Sequence, residues 1–370
     1  MKKKPIINLI QTISTPHNNV LIKQFLDKGV NLNLWYAHES NKYKYSSDED
    51  LTNKYYPAKI YGKSLNFFFL WYCIRHFKEQ YVIVGWENIN TLLLHIIFFL
   101  FRRPFNHWTD MPKPINNNSI NKAKIIRSLA YLILRNSKVK IFCVGKMTIN
   151  YFKQNKFAEK NLVNLPIFVD VNNKIINEKE NLKIIRKKFC NREDQLLISS
   201  GSRLVYEKGF DLLIFTIKNL PMKLKNKIKL VIVGDGLERT SLKKLIRSLN
   251  LENIIKIEKF MKIENFKKLI ACSDIFVHPA RFDAYGSTLL GMSLGVPVIG
   301  SKSAGAALDR IKSGYNGYLY KADDIKTLAN YIILLANSKK LRKRIGNAGK
   351  KTSSKWHPIK GYKILMKNLH

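Results

Sequence analysis

In the stretch ISSGSRLVYEKGFDLLI, Arg203 and Lys208 follow an apolar run ending at Gly201, and a helix is expected to open at Gly209-Phe210. Two cations at the carboxyl end of a strand, with a helix N-terminus close by, suit a diphosphate. Arginine offers a planar fork of donors and lysine a movable point charge. A second stretch, RFDAYGSTLLGMSLGVPVIGS, begins at Arg281. There Gly286, Ser287 and Thr288 fall where a helix should start, so their backbone amides are available to a departing pyrophosphate. Asp283 precedes them, within reach of the same ligand. Each feature alone has an ordinary reading: loop cations in a lysine-rich chain, a capped helix, a loop aspartate. VIVGDGLER adds one Gly-x-Gly, which by itself is weak evidence for a dinucleotide turn.

The elements that must position these residues are legible as alternating short apolar runs and amphipathic stretches. IINLI, NLNLWYA, YVIVGW, FNHWT and VKIFCVG read as strands in the first half, and QLLISSG, IKLVIVG, IIKIE, DIFVH and VPVIG in the second. NNVLIKQFLDKG, LERTSLKKLIRSLN and NFKKLIACS lie between them with helical spacing. Continuous apolar strands alternating with helices indicate parallel sheets covered on both faces. Two such series predict an α/β protein of two Rossmann-like domains, with ligands bound beyond the carboxyl ends of the strands. The join is expected at NLPIFVDVNNK, giving domains 1–166 and 167–345, with a helical segment 346–370 packing back on the first.

The chain has 370 residues and a formal net charge of +39. That charge fits an anionic membrane surface or phosphorylated substrates, and equally a lysine-heavy composition that merely solvates the surface. Nucleic acid is the least supported partner, because no zinc finger, RNP motif or heptad-bearing basic region is present. Cys73, Cys143, Cys190 and Cys272 are scattered, which excludes a disulfide framework or a Cys-x-x-Cys zinc site and suits a reducing compartment. MKKKPIINLIQTIS reads as a strand rather than a signal peptide. TLLLHIIFFLFRRPF falls short of the roughly 20 apolar residues of a spanning helix. It reads as a helix buried against a sheet, or as one whose aromatic and basic end touches a bilayer.

In order, Gly-x-Arg-Leu-Val-x-x-Lys-Gly, LVIVGDG, VHPARFDAYGSTLL, GVPVIGS and GYNGYLY resemble retaining GT-B glycosyltransferases of family 4, particularly those building bacterial lipopolysaccharide, O-antigen or capsule. The likeness is dense from Gly201 to Tyr320 and weak over the first domain. It implies a GT-B fold, two Rossmann-like domains with parallel sheets facing a central cleft, the first binding the acceptor and the second the nucleotide sugar. It places Arg203 and Lys208 on the donor diphosphate with Gly286, Ser287 and Thr288, and Asp283 beside the donor sugar as the first acid of the Glu-x7-Glu signature. Asp309, in AGAALDRIKSGYNG, matches an acid after the glycine-rich turn. His107, in FNHWTD, stands for the histidine that orients the donor sugar, or is a structural histidine. Counted from Asp283, the second acid falls at Gly291, where the family reads Glu-Ala-Met. LLGMSLG is one residue shorter, as if Glu-Ala had become a single Gly.

The implied activity is transfer of a sugar from a nucleotide diphosphate sugar to a lipid-linked glycan with retention, without cofactor or metal. It would take place in the cytoplasm, on the anionic inner face of the cell membrane. The alternative is a degenerate homologue acting as a partner subunit. Gly291 and the absence of paired glycines after the first strand (QTISTPHNN) favour it; Arg203, Lys208 and Asp283 oppose it.

Overall fold

The computed structural model describes residues 5–12, 15–37, 58–86, 88–112, 122–169 and 174–370. The chain divides into two compact units, Met1–Phe168 with Pro358–His370, and Val169–His357.

The first unit contains β1 (Ile6–Gln11), α1 (Pro16–Asp27), β2 (Asn31–Tyr36), β3 (Ala58–Ile60), α2 (Phe67–Arg75), β4 (Gln80–Val84) and α3 (Ile89–Leu100). β5 (Phe105–Thr109), α4 (Lys122–Asn136), β6 (Val139–Cys143), α5 (Gly145–Gln154) and β7 (Leu162–Asn164) follow. Its strands form a parallel sheet in the order β3-β2-β1-β4-β5-β6-β7. α1 starts sharply because Pro16 occupies its first turn and the Thr15 hydroxyl accepts from the Asn18 amide at 3.2 Å. One core joins Phe69 of α2, Leu94 and Phe98 of α3, and Leu134 of α4 to Ile10, Ile83 and Phe105 of the sheet.

The second unit contains α6 (Lys179–Lys187), β8 (Leu196–Gly201), α7 (Phe210–Lys218), β9 (Ile228–Val233), α8 (Arg239–Ser248), β10 (Ile255–Glu258) and α9 (Ile263–Ala271). It continues with β11 (Ile275–His278), α10 (Thr288–Ser293), β12 (Val298–Ser301), α11 (Gly305–Arg310), β13 (Tyr318–Tyr320), α12 (Ile325–Ala336) and α13 (Lys339–Ser353). The parallel order is β10-β9-β8-β11-β12-β13. Strand order therefore reverses between β8 and β11, the switch point where open α/β sheets leave room for a ligand. The loops after these two strands carry Arg203, Lys208 and Asp283.

The end of the chain is shared differently from the sequence expectation of one segment, 346–370. α13 stays with the second unit because it is notched: Gly346 lies against the Gly295 carbonyl, and Gly349 is 3.7 Å from Met292 by the position a Cβ would take. Only α14 (Pro358–Asn368) joins the first unit. There Gly361 lets it settle on Phe168 and Leu21, and the Phe25 and Tyr362 rings meet edge-on at 5.3 Å.

Candidate functional site

β8 ends in Gly201, whose missing side chain leaves space for the Phe266 ring and the Val233 carbonyl. The chain then crosses to α7 through a single turn of 3-10 helix, Tyr206–Lys208, and Gly209 in the left-handed region at φ 65°. A Cβ at Gly209 would run into the Pro279 carbonyl, so glycine alone allows this loop to lie on the loop after β11. The two loops are stitched by Phe282 N donating to the Glu207 carbonyl at 3.0 Å. Arg281 adds a clamp: its guanidinium donates to both Asp211 carboxylate oxygens at 2.7 Å and lies over the Tyr206 ring at 4.3 Å.

This packing delivers Lys208 Nζ to within 2.5 Å of Asp283 Oδ2. The same oxygen is 3.0 Å from His278 Nε2, and His278 Nδ1 is 2.9 Å from the Thr288 hydroxyl. Asp283 Oδ1 accepts from the Tyr285 amide at 3.2 Å. Burial alone would raise the Asp283 carboxyl. The hydrogen bond and charge of His278 and the Lys208 ammonium outweigh it and hold the carboxyl well below the usual carboxylate range. An ionised Asp283 requires a proton on His278 Nε2, which fixes that face of the ring as a donor. Gly286, at φ 77°, turns the chain directly over the His278–Asp283 pair, where any side chain would strike both.

Asp283 is also pinned through its backbone: its amide donates to the Ser303 carbonyl at 3.0 Å, and its carbonyl accepts from Gly305 N at 2.9 Å. Gly305 opens α11, whose Arg310 is held between the Tyr285 ring at 4.4 Å and the Trp356 ring at 4.2 Å. Asp309, half-buried on α11, places its charge beside Arg310 and Tyr285.

The structure thus brings together Lys208, Asp283, Gly286 and Thr288, with Asp309 one helix away. Arg203 is exposed on the same loop as Lys208, anchored by its neighbour Leu204, which is fully buried. Ser287 stands at the start of α10 with its Oγ buried and without a hydrogen-bond partner. Both Asp283 oxygens serve protein partners, so it positions Lys208 and His278. The Thr288 hydroxyl faces His278 in the interior, which leaves its amide for a ligand. α10 runs six residues. Gly291 looks into the core, where its Cβ would lie 2.9 Å from Val298 Cγ2 and 3.0 Å from the Phe276 ring. A glutamate at that position would point into the sheet.

His107 belongs to the core of the first unit. It is 0% exposed, and its ring stacks on Trp86 at 5.1 Å. The Thr91 carbonyl, 2.5 Å from His95 Nδ1, puts a proton there, so His95 Nε2 accepts from His107 Nδ1 at 3.0 Å. His107 Nε2 is then a bare acceptor with no partner. Burial pushes His95 down to about 4 and His107 well below the ordinary histidine value, with His95 adding to the effect on His107. The catalytic reading of His107 gives way to a structural one.

Sequence reasoning missed His278, Arg281 and Arg310. The signal for His278 was present: a polar residue closing the apolar run IFV at a strand's carboxyl end, five residues before Asp283.

Residues 182–352 match the family model for glycosyl transferases group 1. An uncharacterized glycosyltransferase of Methanocaldococcus jannaschii is 25% identical over 356 residues, 92% of this chain and 90% of that protein. The O-antigen biosynthesis glycosyltransferase WclY of Escherichia coli is 32% identical over 163 residues, 44% of this chain and 43% of its own length. Among solved structures, Anabaena HepE in complex with UDP superposes with a TM-score of 0.78 at 17% identity, covering 98% of each chain. The chain has the two-unit GT-B fold, and its second unit is similar to the glycosyl transferases of group 1. The matched segment contains every residue of the Lys208–Asp283–His278 cluster, and the first unit lies outside it. The lipopolysaccharide glycosyltransferase WaaG shares the fold, with a TM-score of 0.68 at 14% identity over 98% of this chain and 99% of that one.

Proposed function

We propose that this chain is a glycosyltransferase that moves a sugar from a nucleotide diphosphate sugar to a lipid-linked glycan with retention of configuration, as a family 4 enzyme of bacterial surface polysaccharide synthesis. The second unit binds the donor and the first the acceptor, at the anionic inner face of the cell membrane. The observation that carries the reading is the Lys208 ammonium held at the switch point by a deeply ionised Asp283, beside the glycine turn and the unpartnered Ser287 hydroxyl. The ammonium keeps donors to spare beyond Asp283. Together with exposed Arg203, the Ser287 hydroxyl and the amides of Gly286 to Thr288, it would neutralise the charge that develops on a leaving diphosphate. Nothing in this scheme requires a metal or cofactor. HepE, crystallised with UDP and UDP-glucose, supports a nucleotide diphosphate donor. WclY and the capsular polysaccharide biosynthesis glycosyltransferase CapM of Staphylococcus aureus support the pathway class.

Gly291 bears on the second reading, a degenerate partner subunit. Counted back from Gly-Val-Pro instead of forward from Asp283, the shortened stretch puts Gly291 at the family's small alanine and Leu290 at its acid. The core-facing glycine favours that register, and neither position carries a carboxylate. Titration calorimetry with UDP, GDP and ADP tests the main reading: one diphosphate binds, and Arg203→Ala weakens it about tenfold by loss of a charge-assisted hydrogen bond. Absence of binding for all three, in a folded protein, would favour the degenerate reading. A bound donor sugar whose anomeric configuration inverts on transfer would refute retention.

A further inference from the structure

α2 has the sequence FFFLWYCIR and buries Phe69, Leu70 and Cys73 against the sheet. Its other side is also apolar. Phe67 is 75%, Phe68 70% and Trp71 51% exposed. A helix at the surface of a water-soluble unit ordinarily turns polar residues outward. The end of α3 continues the surface, with Leu100 67% and Phe101 61% exposed. The two helices are neighbours, joined through Phe77, whose ring lies 5.6 Å from Phe101. Five large apolar side chains on adjoining elements are more than the scattered exposure expected of a monomer.

Charge indicates what covers this face. Residues 58–78 and 88–109, which form this face, contain no Asp or Glu, while Lys59, Lys63, Arg75, Lys78, Arg102 and Arg103 all lie within them; Glu79, which follows, accepts from Asn8 of β1. Arg75 sits over the Trp71 ring at 5.2 Å and Arg103 over Phe77 at 5.5 Å, so the cations are interleaved with the aromatics. α4, beside α3, adds Ile125 and Leu132, exposed by 63% and 57%, on a helix that also lacks acids. A second copy of the chain would bring two uniformly cationic faces together. Aromatic rings set among arginines and lysines instead match the interface of an anionic bilayer, with rings at headgroup depth and cations on the lipid phosphates. Among the described residues no helix is long and apolar enough to cross a membrane, so the contact is with the surface of one leaflet.

We infer that the outward face of α2 and the end of α3 dock the glycosyltransferase onto an anionic lipid bilayer by inserting Phe67, Phe68 and Trp71. The inference rests on the proposed membrane site of action and adds the face and the mode. Insertion of rings, unlike pure lysine attraction, survives salt screening. The full chain is sedimented with vesicles of phosphatidylglycerol and phosphatidylethanolamine, and with phosphatidylcholine alone. Expected results are binding to the anionic vesicles that persists in part at high salt, and a loss of about tenfold or more in F67S/F68S/W71S. That variant keeps its melting temperature, because all three side chains are exposed. Trp71 should be quenched by lipids brominated near the headgroups, and W71F should lose that quenching. Equal vesicle binding by the folded triple variant, or no Trp71 quenching, overturns the face while leaving the membrane reading intact. Failure of the wild type to bind any vesicle removes both. A dimer in light scattering that the triple variant abolishes would make the face a self-interface and overturn the inference.

Discussion

Each unit of the chain buries a histidine on a strand, and the two are handled in opposite ways. On β11, His278 shares a carboxylate with an ammonium, and Thr288 serves its other nitrogen. On β5, His107 meets only His95 and an aromatic face, and its Nε2 has no partner. Both rings are buried. In the second unit opposite charges meet at Asp283, so a charged cluster persists. In the first unit no counter-charge faces the pair among the described residues, and burial holds it neutral. A buried histidine thus takes its role from whether a carboxylate shares its site.

The comparison can be broken most forcefully at the ion pair. Lys208→Met leaves Asp283 buried with one cation fewer, and the second unit should lose about 3–5 kcal/mol. Combining it with Asp283→Asn should restore a large part, because the uncompensated charge is gone. A double-mutant cycle by urea unfolding checks this, and additive losses would show that the pair is not coupled.

The neutral pair makes the next largest prediction. His95 has its folded-state pKa depressed from the ordinary value to about 4, so its stabilising contribution is present above pH 6.5 and is lost as pH falls toward 4. At about 1.36 kcal/mol per unit, that removes roughly 3 kcal/mol from the first unit. Asp283, also depressed, contributes no slope in this window, since its stabilisation declines only below the ordinary carboxylate value of about 4. Tryptophan fluorescence separates the units, because Trp35, Trp71, Trp86 and Trp108 lie in the first and only Trp356 in the second. A His95→Leu, His107→Phe variant should unfold with no slope between pH 6.5 and 4.

Two smaller effects sharpen the contrast between interior and ligand-facing positions. Gly291→Glu forces a side chain onto Phe276 and Val298 and should cost at least about 1–3 kcal/mol with no gain in nucleotide affinity. Improved affinity would return position 291 to the donor site. Arg203→Ala should change stability by less than about 0.5 kcal/mol, since the side chain is exposed. Its effect should appear only in nucleotide binding, which urea midpoints and calorimetry on the same samples distinguish.

Period and composition determined most of the fold. The continuous Ile-, Val- and Phe-rich runs could only be strands covered on both faces, and the helical stretches between them required parallel order. The strands that escaped, β3 and β13, have three residues each, too few for a pattern. The glycine turns at Gly209 and Gly286 and the cations of the first loop were legible because backbone conformation and charge are local properties. The partners of those residues were not. Lys208 and Asp283 are 75 positions apart, and only the reversal of strand order between β8 and β11 brings their loops together. The same holds for Gly291: its spacing from Asp283 suggested a lost acid, whereas helix rotation and the proximity of Phe276 and Val298 decided that it faces the core. His107 and His278 both close or interrupt apolar runs and look alike in sequence. What separates them is a carboxylate that tertiary packing supplies to one and withholds from the other.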